Sequence, residues 1–452
     1  MQYLKTMAGA AIGAIGFAGA SGAAGIPSEL PADTMVISAA PVSWSGPYAG
    51  ANLGFGGFGT GVTDLADDMF DGEGAEMNLF GDDFFGGVQA GFNMSSGRLV
   101  YGVEVDIQGT GFDETGFMDG DDHRAAASWN WFATLRGRAG VSVDNSLLYV
   151  TGGLAYVDAD YCGSDGDCTT DGDDQLAFTD GRLGYAVGAG VETKLSGNLS
   201  MKAEYLYIDV PEFQKPYDDD EVASFATQAH LFRLGLNYHF GQPSTSLAAS
   251  SVSFQGGYVS AFGSFGGAGT GVIDLDGDMF DGSGKDEAEM NVFGNGLGFG
   301  IGGGYDFDRG DYVLGIVADI QGFSYGESSG IDEDHLASGA WNWIATVRGR
   351  AGRKFGKSLL YGTAGIAAIN ADFCGADGSC ITDGDEDLAF DKTVTGYTAG
   401  FGVETQLSSK ISLQGEYLYL DGDDFTEAYD DDQFANFRTS GHLFRAGLNY
   451  RF

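Results

Sequence analysis

Hydrophobic and polar residues alternate one by one over long stretches of this 452-residue chain. In the final stretch Phe444, Leu448 and Phe452 share one parity, while Arg445 and Asn449 have the other. Because successive side chains of a β-strand point to opposite faces, this period of two predicts strands with one apolar and one polar face. Eight such strands are predicted in the first half, near residues 46–58, 82–95, 98–111, 126–143, 146–158, 182–196, 199–210 and 228–240.

The connections between these strands alternate in length. Three are tight and rich in Ser, Gly, Asp and Asn, at residues 95–97, 144–146 and 196–198. The others are long and acidic, at residues 59–81, 112–125, 159–181 and 211–227. Short turns at one end and long loops at the other are typical of an outer-membrane β-barrel.

The chain repeats itself with a period near 212 residues. Trp129, Cys162 and His230 return as the same residue types, at Trp341, Cys374 and His442. A period of this length is that of a whole domain. The predicted fold is therefore all-β, with two tandem eight-stranded antiparallel up-and-down transmembrane barrels. A single barrel of sixteen strands is the alternative.

The domain boundaries follow from the repeat and from the N-terminal residues. Lys5, an apolar segment at residues 7–18 and the small residues at 18–20 predict a cleaved export signal over residues 1–20. Residues 21–45 form an N-terminal linker, 46–240 the first barrel, 241–254 a polar linker and 255–452 the second barrel. No segment holds 18 consecutive apolar residues, so a membrane would be crossed by strands.

Charged residues fall on one common face of the predicted strands. The first copy contributes four acids and four bases and the second three of each: Glu104, Asp106, Arg136, Arg138, Glu192, Lys202, Glu204 and Arg233, then Asp319, Arg348, Arg350, Glu404, Glu416 and Arg445. The opposite face carries aliphatic and aromatic residues, among them Val103, Trp129 and Tyr205. Since buried charges persist when they are paired, the charged face is predicted to be the barrel interior and the apolar face to meet lipid. Eight strands leave room only for side chains inside.

Composition narrows the class of protein further. The 22 Lys and Arg against 65 Asp and Glu give a net charge of −43, which argues against nucleic-acid binding. Strong acidity often accompanies disorder, but 13% aromatic residues contradict it. The 77 glycines show no collagen period and suit closely packed strands around a narrow interior.

Several segments resemble a known family. The residues at 43–50 (SWSGPYAG), 135–140 (LRGRAG), 149–156 (YVTGGLAY), 202–207 (KAEYLY) and 233–240 (RLGLNYHF) are similar to those of the OmpA-like, porin-family surface antigens of Gram-negative bacteria. The resemblance implies eight-stranded outer-membrane barrels, mostly structural or antigenic, with modest pore activity. Two departures stand out: the barrel occurs twice, and the second copy opens with Phe254 where the first has Trp44. Val317 and Gln414 also replace Glu104 and Lys202.

Two features predict export and assembly. The alternating C-terminal strand, with Phe444, Leu448, Tyr450 and the terminal Phe452, resembles the signal that the barrel-assembly machinery recognises. Cys162 with Cys168 and Cys374 with Cys380 are predicted to form disulfides, because the periplasm is oxidising and the pairs are close in sequence.

Other candidate chemistry is weaker. Carboxylates crowd the same loops and could collect Ca²⁺, although their spacing does not match an EF-hand: Asp165, Asp167, Asp171, Asp173, Asp383, Asp385 and Asp387. A solvated acidic surface is the favoured reading. No nucleophile motif accompanies the five histidines, so an enzyme is not expected.

The expected function is that of a structural, surface-exposed protein of the Gram-negative outer membrane, with interiors plugged by ion pairs and little or no solute flux. Lipid, lipopolysaccharide and the barrel-assembly machinery are the expected partners, and no cofactor is expected. A sixteen-stranded porin for passive diffusion and an adhesin acting through the long loops are the alternatives.

Overall fold

The computed structural model describes residues 43–65, 70, 75–118, 123–165, 168, 175–217, 221–242, 252–275, 279, 288–331, 335–377, 380, 387–430 and 433–452. The predicted export signal, most of the N-terminal linker and most of the inter-barrel linker lie outside these residues. Within the described part, no helix is long and apolar enough to cross a membrane.

Eighteen antiparallel strands make up the described residues. The first copy contains β1 (Gly46–Asp64), β2 (Glu76–Ser96), β3 (Leu99–Thr110), β4 (Asp113–Met118), β5 (His123–Val143), β6 (Ser146–Asp165), β7 (Gln175–Lys194), β8 (Leu199–Pro216) and β9 (Val222–His239). The second contains β10 (Gly256–Asp274), β11 (Ala288–Arg309), β12 (Tyr312–Ile331), β13 (His335–Phe355), β14 (Ser358–Asp377), β15 (Asp387–Gln406), β16 (Ile411–Gly422), β17 (Phe425–Asp430) and β18 (Gln433–Arg451).

Each copy closes on itself. Strand β1 pairs with β2 on one side and with β9 on the other, so that Tyr48 lies between Gly91 and His239. Strand β10 pairs in the same way with β11 and β18. Strands β3 and β4 both pair with β5 and act as one interrupted strand, and β16 and β17 do the same beside β18. The result is two eight-stranded barrels, as predicted, and the sixteen-stranded alternative is wrong.

Among the residues that the structure describes, three single-residue bridges join the barrels at the end that carries the long connections. They link Asn78 to Asn291, Phe117 to Glu289 and Glu76 to Gly330. The bridges make one continuous hydrogen-bonded network of the two barrels without opening either closure.

The strands are longer than the alternation predicted, and the predicted loop boundaries are wrong. Strand β1 runs to Asp64 and β2 begins at Glu76, so much of the loop placed at 59–81 is strand. Strands of 18 to 22 residues are about twice the length that a membrane needs. The extensions bury inward-facing Val62, Met77 and Leu79, while glycine and acidic residues between them weaken the apolar signal.

A β-bulge reverses one predicted face. The pairing of β5 with β6 shifts register between Trp129 and Trp131, because Asn130 is an extra residue. Trp129 is therefore buried inside the barrel, and the prediction that it faces lipid is wrong. Trp131 stays outside, where its ring lies 5.4 Å from that of Tyr156. The second copy has the same shift between Trp341 and Trp343.

Candidate functional site

The predicted charged residues of the first copy meet inside barrel one. Six of them form a central network of buried side chains: Glu104, Asp106, Arg136, Lys202, Glu204 and Arg233. Arg136 Nη2 lies 2.7 Å from a carboxylate oxygen of both Glu104 and Asp106. Arg233 Nη2 lies 2.6 Å from Glu204, and Lys202 Nζ lies 2.7 Å from Glu104. Every charge in the network has an opposite partner, which is the condition under which buried charge is tolerated.

Tyr48 joins this network to a second ion pair. Its hydroxyl donates to Glu104 at 2.8 Å and accepts from Arg138 at 2.9 Å. Arg138 in turn lies 2.6 Å from Glu192. Tyr48 was not predicted as an interior residue. The alternation of β1 placed it on the same side as Asn52, which could have identified it.

The charged residues inside barrel two form two clusters whose members differ from those of barrel one. Asp319 binds Arg348 at 2.6 Å and Arg445 at 2.8 Å. A second cluster contains two charged residues that sequence reasoning missed, Asp306 and Arg451. Arg451 Nη2 lies 2.9 Å from Asp306, and Arg350 Nε donates to the same carboxylate at 2.8 Å. The predicted Glu404 and Glu416 complete the two clusters, at 2.9 Å from Arg350 and Arg348 respectively.

The two networks differ by compensated exchanges. Glu104 and Lys202 of the first copy are Val317 and Gln414 in the second, so an acid and a base are lost together. Asn93 and His239 of the first copy become Asp306 and Arg451, so an acid and a base are gained together. The second network therefore contains four acids and four bases, as the first does, and the predicted count of three and three was incomplete.

Apolar side chains close both interiors above and below the charges. Toward the long connections, Phe58 stacks on Phe112 with ring centroids 5.2 Å apart, and Trp129 packs edge-on against Phe112. At the short-turn end Trp44 is buried against Val100, Leu147 and Tyr149. In barrel two Phe254 occupies the corresponding place beside Val313, Leu359 and Tyr361. Phe254 thus takes the place of Trp44 in closing the interior at the short-turn end.

A face of each barrel is covered by the other, and the contacts are reciprocal. Tyr205 stacks on Phe444 at 5.0 Å, and their counterparts Phe232 and Tyr417 stack at 4.6 Å. Phe80 stacks on its own counterpart, Phe293, at 4.7 Å. The same residues meet from both sides, which is the arrangement of an isologous, twofold interface. We call this surface the inter-barrel face.

Glycines make the close approach possible. A Cβ atom on Gly59 would lie 1.8 Å from the ring of Phe293, and one on its counterpart Gly269 would lie 2.1 Å from the ring of Phe80. Any larger residue at either position would have to displace the facing phenylalanine ring.

Two equivalent histidines on the outer walls lie at the inter-barrel face. His230 Nδ1 is hydrogen-bonded to the Tyr205 hydroxyl at 2.6 Å, and its Nε2 contacts Asn295 of the other barrel. The counterpart His442 is bonded to Tyr417 at 2.8 Å and lies 3.8 Å from Asp82. Because polar groups without partners are costly away from water, the His230–Asn295 hydrogen bond favours contact between the two walls. Sequence reasoning placed both histidines only at the start of the last strands.

The remaining predicted residues lie at the two ends. Disulfides join Cys162 to Cys168 and Cys374 to Cys380, with Cα atoms 5.8 and 5.7 Å apart. Five of the seven carboxylates considered for Ca²⁺ lie outside the described residues: Asp167, Asp171, Asp173, Asp383 and Asp385. Asp165 and Asp387 end or begin strands, and the structure does not describe their side chains. Leu448, Tyr450 and Phe452 point outward and are exposed, whereas Phe444 belongs to the inter-barrel face.

A family model described as the outer membrane protein beta-barrel domain matches residues 33–240 and again 244–452. The chain belongs to this family. Each matched segment contains one closed barrel, so the family and the fold agree. The protein is therefore an outer-membrane protein of Gram-negative bacteria.

Two relatives named as outer-membrane proteins agree with the family. The 31 kDa outer-membrane immunogenic protein of Brucella melitensis biotype 1 is 33% identical over 47% of this chain and 88% of its own. The 22 kDa outer membrane protein of Rhizobium leguminosarum bv. viciae is 30% identical over 40% of this chain and 78% of its own. Ail, the attachment invasion locus protein of Yersinia pestis, aligns with 42% of this chain and 99% of its own at 19% identity, with a TM-score of 0.22.

Proposed function

We propose that the protein is a structural, surface-exposed component of the outer membrane whose barrels carry little or no solute flux. The observation that carries the proposal is the filled interior. A charged network with matched partners crosses each barrel, and apolar side chains lie on both sides of it.

The physical reason is the size of the barrel. Eight strands enclose only enough space for side chains, and here those side chains are large and mutually bonded. Opening a path would mean breaking buried ion pairs, and removing one partner of such a pair typically costs about 3–5 kcal/mol. Thermal opening of that kind would be rare.

Planar-bilayer conductance tests the proposal. The purified protein should give no stable openings under conditions in which a large trimeric porin, added as a positive control, conducts. Stable openings whose conductance changes in Arg136→Ala or Arg348→Ala would contradict it, because both guanidinium groups lie in the proposed plugs. Adhesion through the long connections remains an alternative that rests mostly on residues outside the described part.

A further inference from the structure

A slot with apolar walls lies between the two barrels. Its walls include Val141, Val150 and Val191 of barrel one and Val403, Leu413 and Ala446 of barrel two. The cavity volume is about 390 Å³. We call it the side slot.

The exposed wall of the slot consists of outward-facing residues. Val150 is 62% exposed and Val141 is 43% exposed, whereas Val403 on the opposite wall is 2% exposed. The slot is therefore a cleft with an accessible mouth and a deep wall. Since strands in a barrel alternate between inward and outward residues, these outward residues face the bilayer and not the plugs.

The inter-barrel contacts bound the slot. The stacked pairs Tyr205–Phe444 and Phe232–Tyr417 line its end toward the long connections. Ser146 and its counterpart Ser358 do not line the slot but lie closer to the short turns, where their hydroxyls are hydrogen-bonded at 2.6 Å. The barrels thus touch at two levels and leave a space between them.

The depth of the slot places it in one half of the bilayer. Val141 and Leu148 flank the tight turn at residues 144–145, and Leu413 follows the turn at 407–410. In outer-membrane barrels the short turns are periplasmic. The slot therefore lies in the half of the bilayer that faces the periplasm.

We propose that the side slot binds one acyl chain of a phospholipid from the periplasmic leaflet. An empty cleft would forfeit dispersion contacts on all its walls, and within the hydrocarbon region an alkyl chain is the available group that restores them. The proposal depends on the outer-membrane location and does not depend on the absence of solute flux.

A basic residue lies in the turn next to the wall strand β16. Lys410 is exposed in the turn before β16, three residues from Leu413, or about 10 Å along the strand. Its Nζ lies 3.5 Å from the Tyr450 hydroxyl. An ammonium beside a hydroxyl at the rim complements the phosphate of a phospholipid whose chain fills the slot.

The twofold-related side of the interface differs in its residues. The counterpart of Val141 is Arg353, which is charged, and the counterpart of Val150 is Gly362, which has no side chain. Two apolar side chains of the wall are therefore missing on that side. The proposed site is therefore assigned to one side only.

Gly415 provides the test, because it lines the slot and a Cβ atom there would meet nothing within 4 Å. Gly415→Leu should place an alkyl side chain in the slot. The matched control is Gly109→Leu, an exposed outward glycine of barrel one whose Cβ would also meet nothing within 4 Å. Lys410→Glu tests the headgroup contact separately. The full chain is purified from outer membranes, exchanged into mild detergent and measured by native mass spectrometry with headgroup analysis of the extracted lipid.

The wild type and Gly109→Leu should each retain one phospholipid per chain. Gly415→Leu should lose it, and Lys410→Glu should retain less. Retention by Gly415→Leu equal to that of the control would overturn the proposal, as would a wild type that retains no lipid or retains lipid A instead. Unheated gel mobility establishes that each variant is folded. If Gly415→Leu does not fold, unchanged retention in Lys410→Glu overturns the headgroup assignment and loss supports it.

Discussion

At the scale of single residues, the two copies show which charged residues can be replaced together by neutral ones. Lys202 Nζ lies 2.7 Å from Glu104 in barrel one, and the second copy has Gln414 and Val317 at these positions. Removing one member of a buried pair leaves an uncompensated charge, whereas replacing both by neutral residues can cost little. The second copy shows that the neutral combination is compatible with the same barrel.

Lys202→Gln alone should therefore destabilise barrel one by about 3–5 kcal/mol, and Glu104→Val alone by a similar amount. The double variant should lose much less than the sum, because it retains three acids and three bases. Urea unfolding of the refolded protein in micelles, followed by tryptophan fluorescence, gives the three values. Additive losses would mean that the two side chains are not coupled.

The terminal residue allows an equally direct comparison. Phe452 and Phe240 end equivalent strands, both are exposed, and their amides donate to Gly257 and Pro47 carbonyls at 3.1 and 3.0 Å. They differ in position, since Phe240 precedes the linker between the barrels and Phe452 follows β18, the strand predicted to carry the assembly signal. If the predicted assembly signal on β18 is recognised, Phe452→Ala should lower the amount of protein in the outer membrane, and Phe240→Ala should not. Equal amounts of both variants by quantitative immunoblot would remove Phe452 from the assembly signal.

At the scale of strands, the alternation predicted the short-turn ends well and the long ends poorly. Near the short turns apolar residues point outward to lipid and charges point inward, so the two faces contrast strongly. Toward the long connections the inward residues become apolar, as with Phe58 and Val62, and the outward ones are glycine or polar. The polarity of the two faces is therefore reversed there. A search for strands with polar inward and apolar outward residues does not recognise these segments as strands.

The alternation of hydrophobic and polar residues could predict neither the bulge nor the inter-barrel face, and the reasons differ. Asn130 changes the parity of Trp129 by one inserted residue, which a strict period of two has no means to register. Tyr205 and Phe232 look like ordinary lipid-facing aromatics. Their burial depends on where the second barrel sits, which the sequence of one strand does not encode.

The glycines of the inter-barrel face make its packing testable. Gly59→Leu should push the ring of Phe293 away and separate the barrels, while Gly109→Leu, on an open part of the wall, should not. The readout is a disulfide introduced between the barrels by Ser146→Cys with Ser358→Cys, whose native hydroxyls lie 2.6 Å apart. Gly59→Leu should reduce its yield several-fold. Undiminished cross-linking would contradict the packing described for Gly59.

At the scale of the whole molecule, two closed barrels share a twofold-like interface within one chain. The repeat period and the charge balance within each copy predicted the two closures, because a wide pore would not need each half to be neutral. The side-by-side contact adds what the sequence left open: a face with reciprocal aromatic stacking and polar partners, and the side slot beneath it.

Each barrel is complete without the strands of the other. Introducing a protease site within residues 243–251 and cleaving the folded protein in micelles tests it most directly. On an unheated SDS gel, both halves should keep the compact mobility of a folded barrel, and each should shift to its unfolded mobility only after boiling. Halves that run unfolded without heating as soon as they separate would contradict two independent closures.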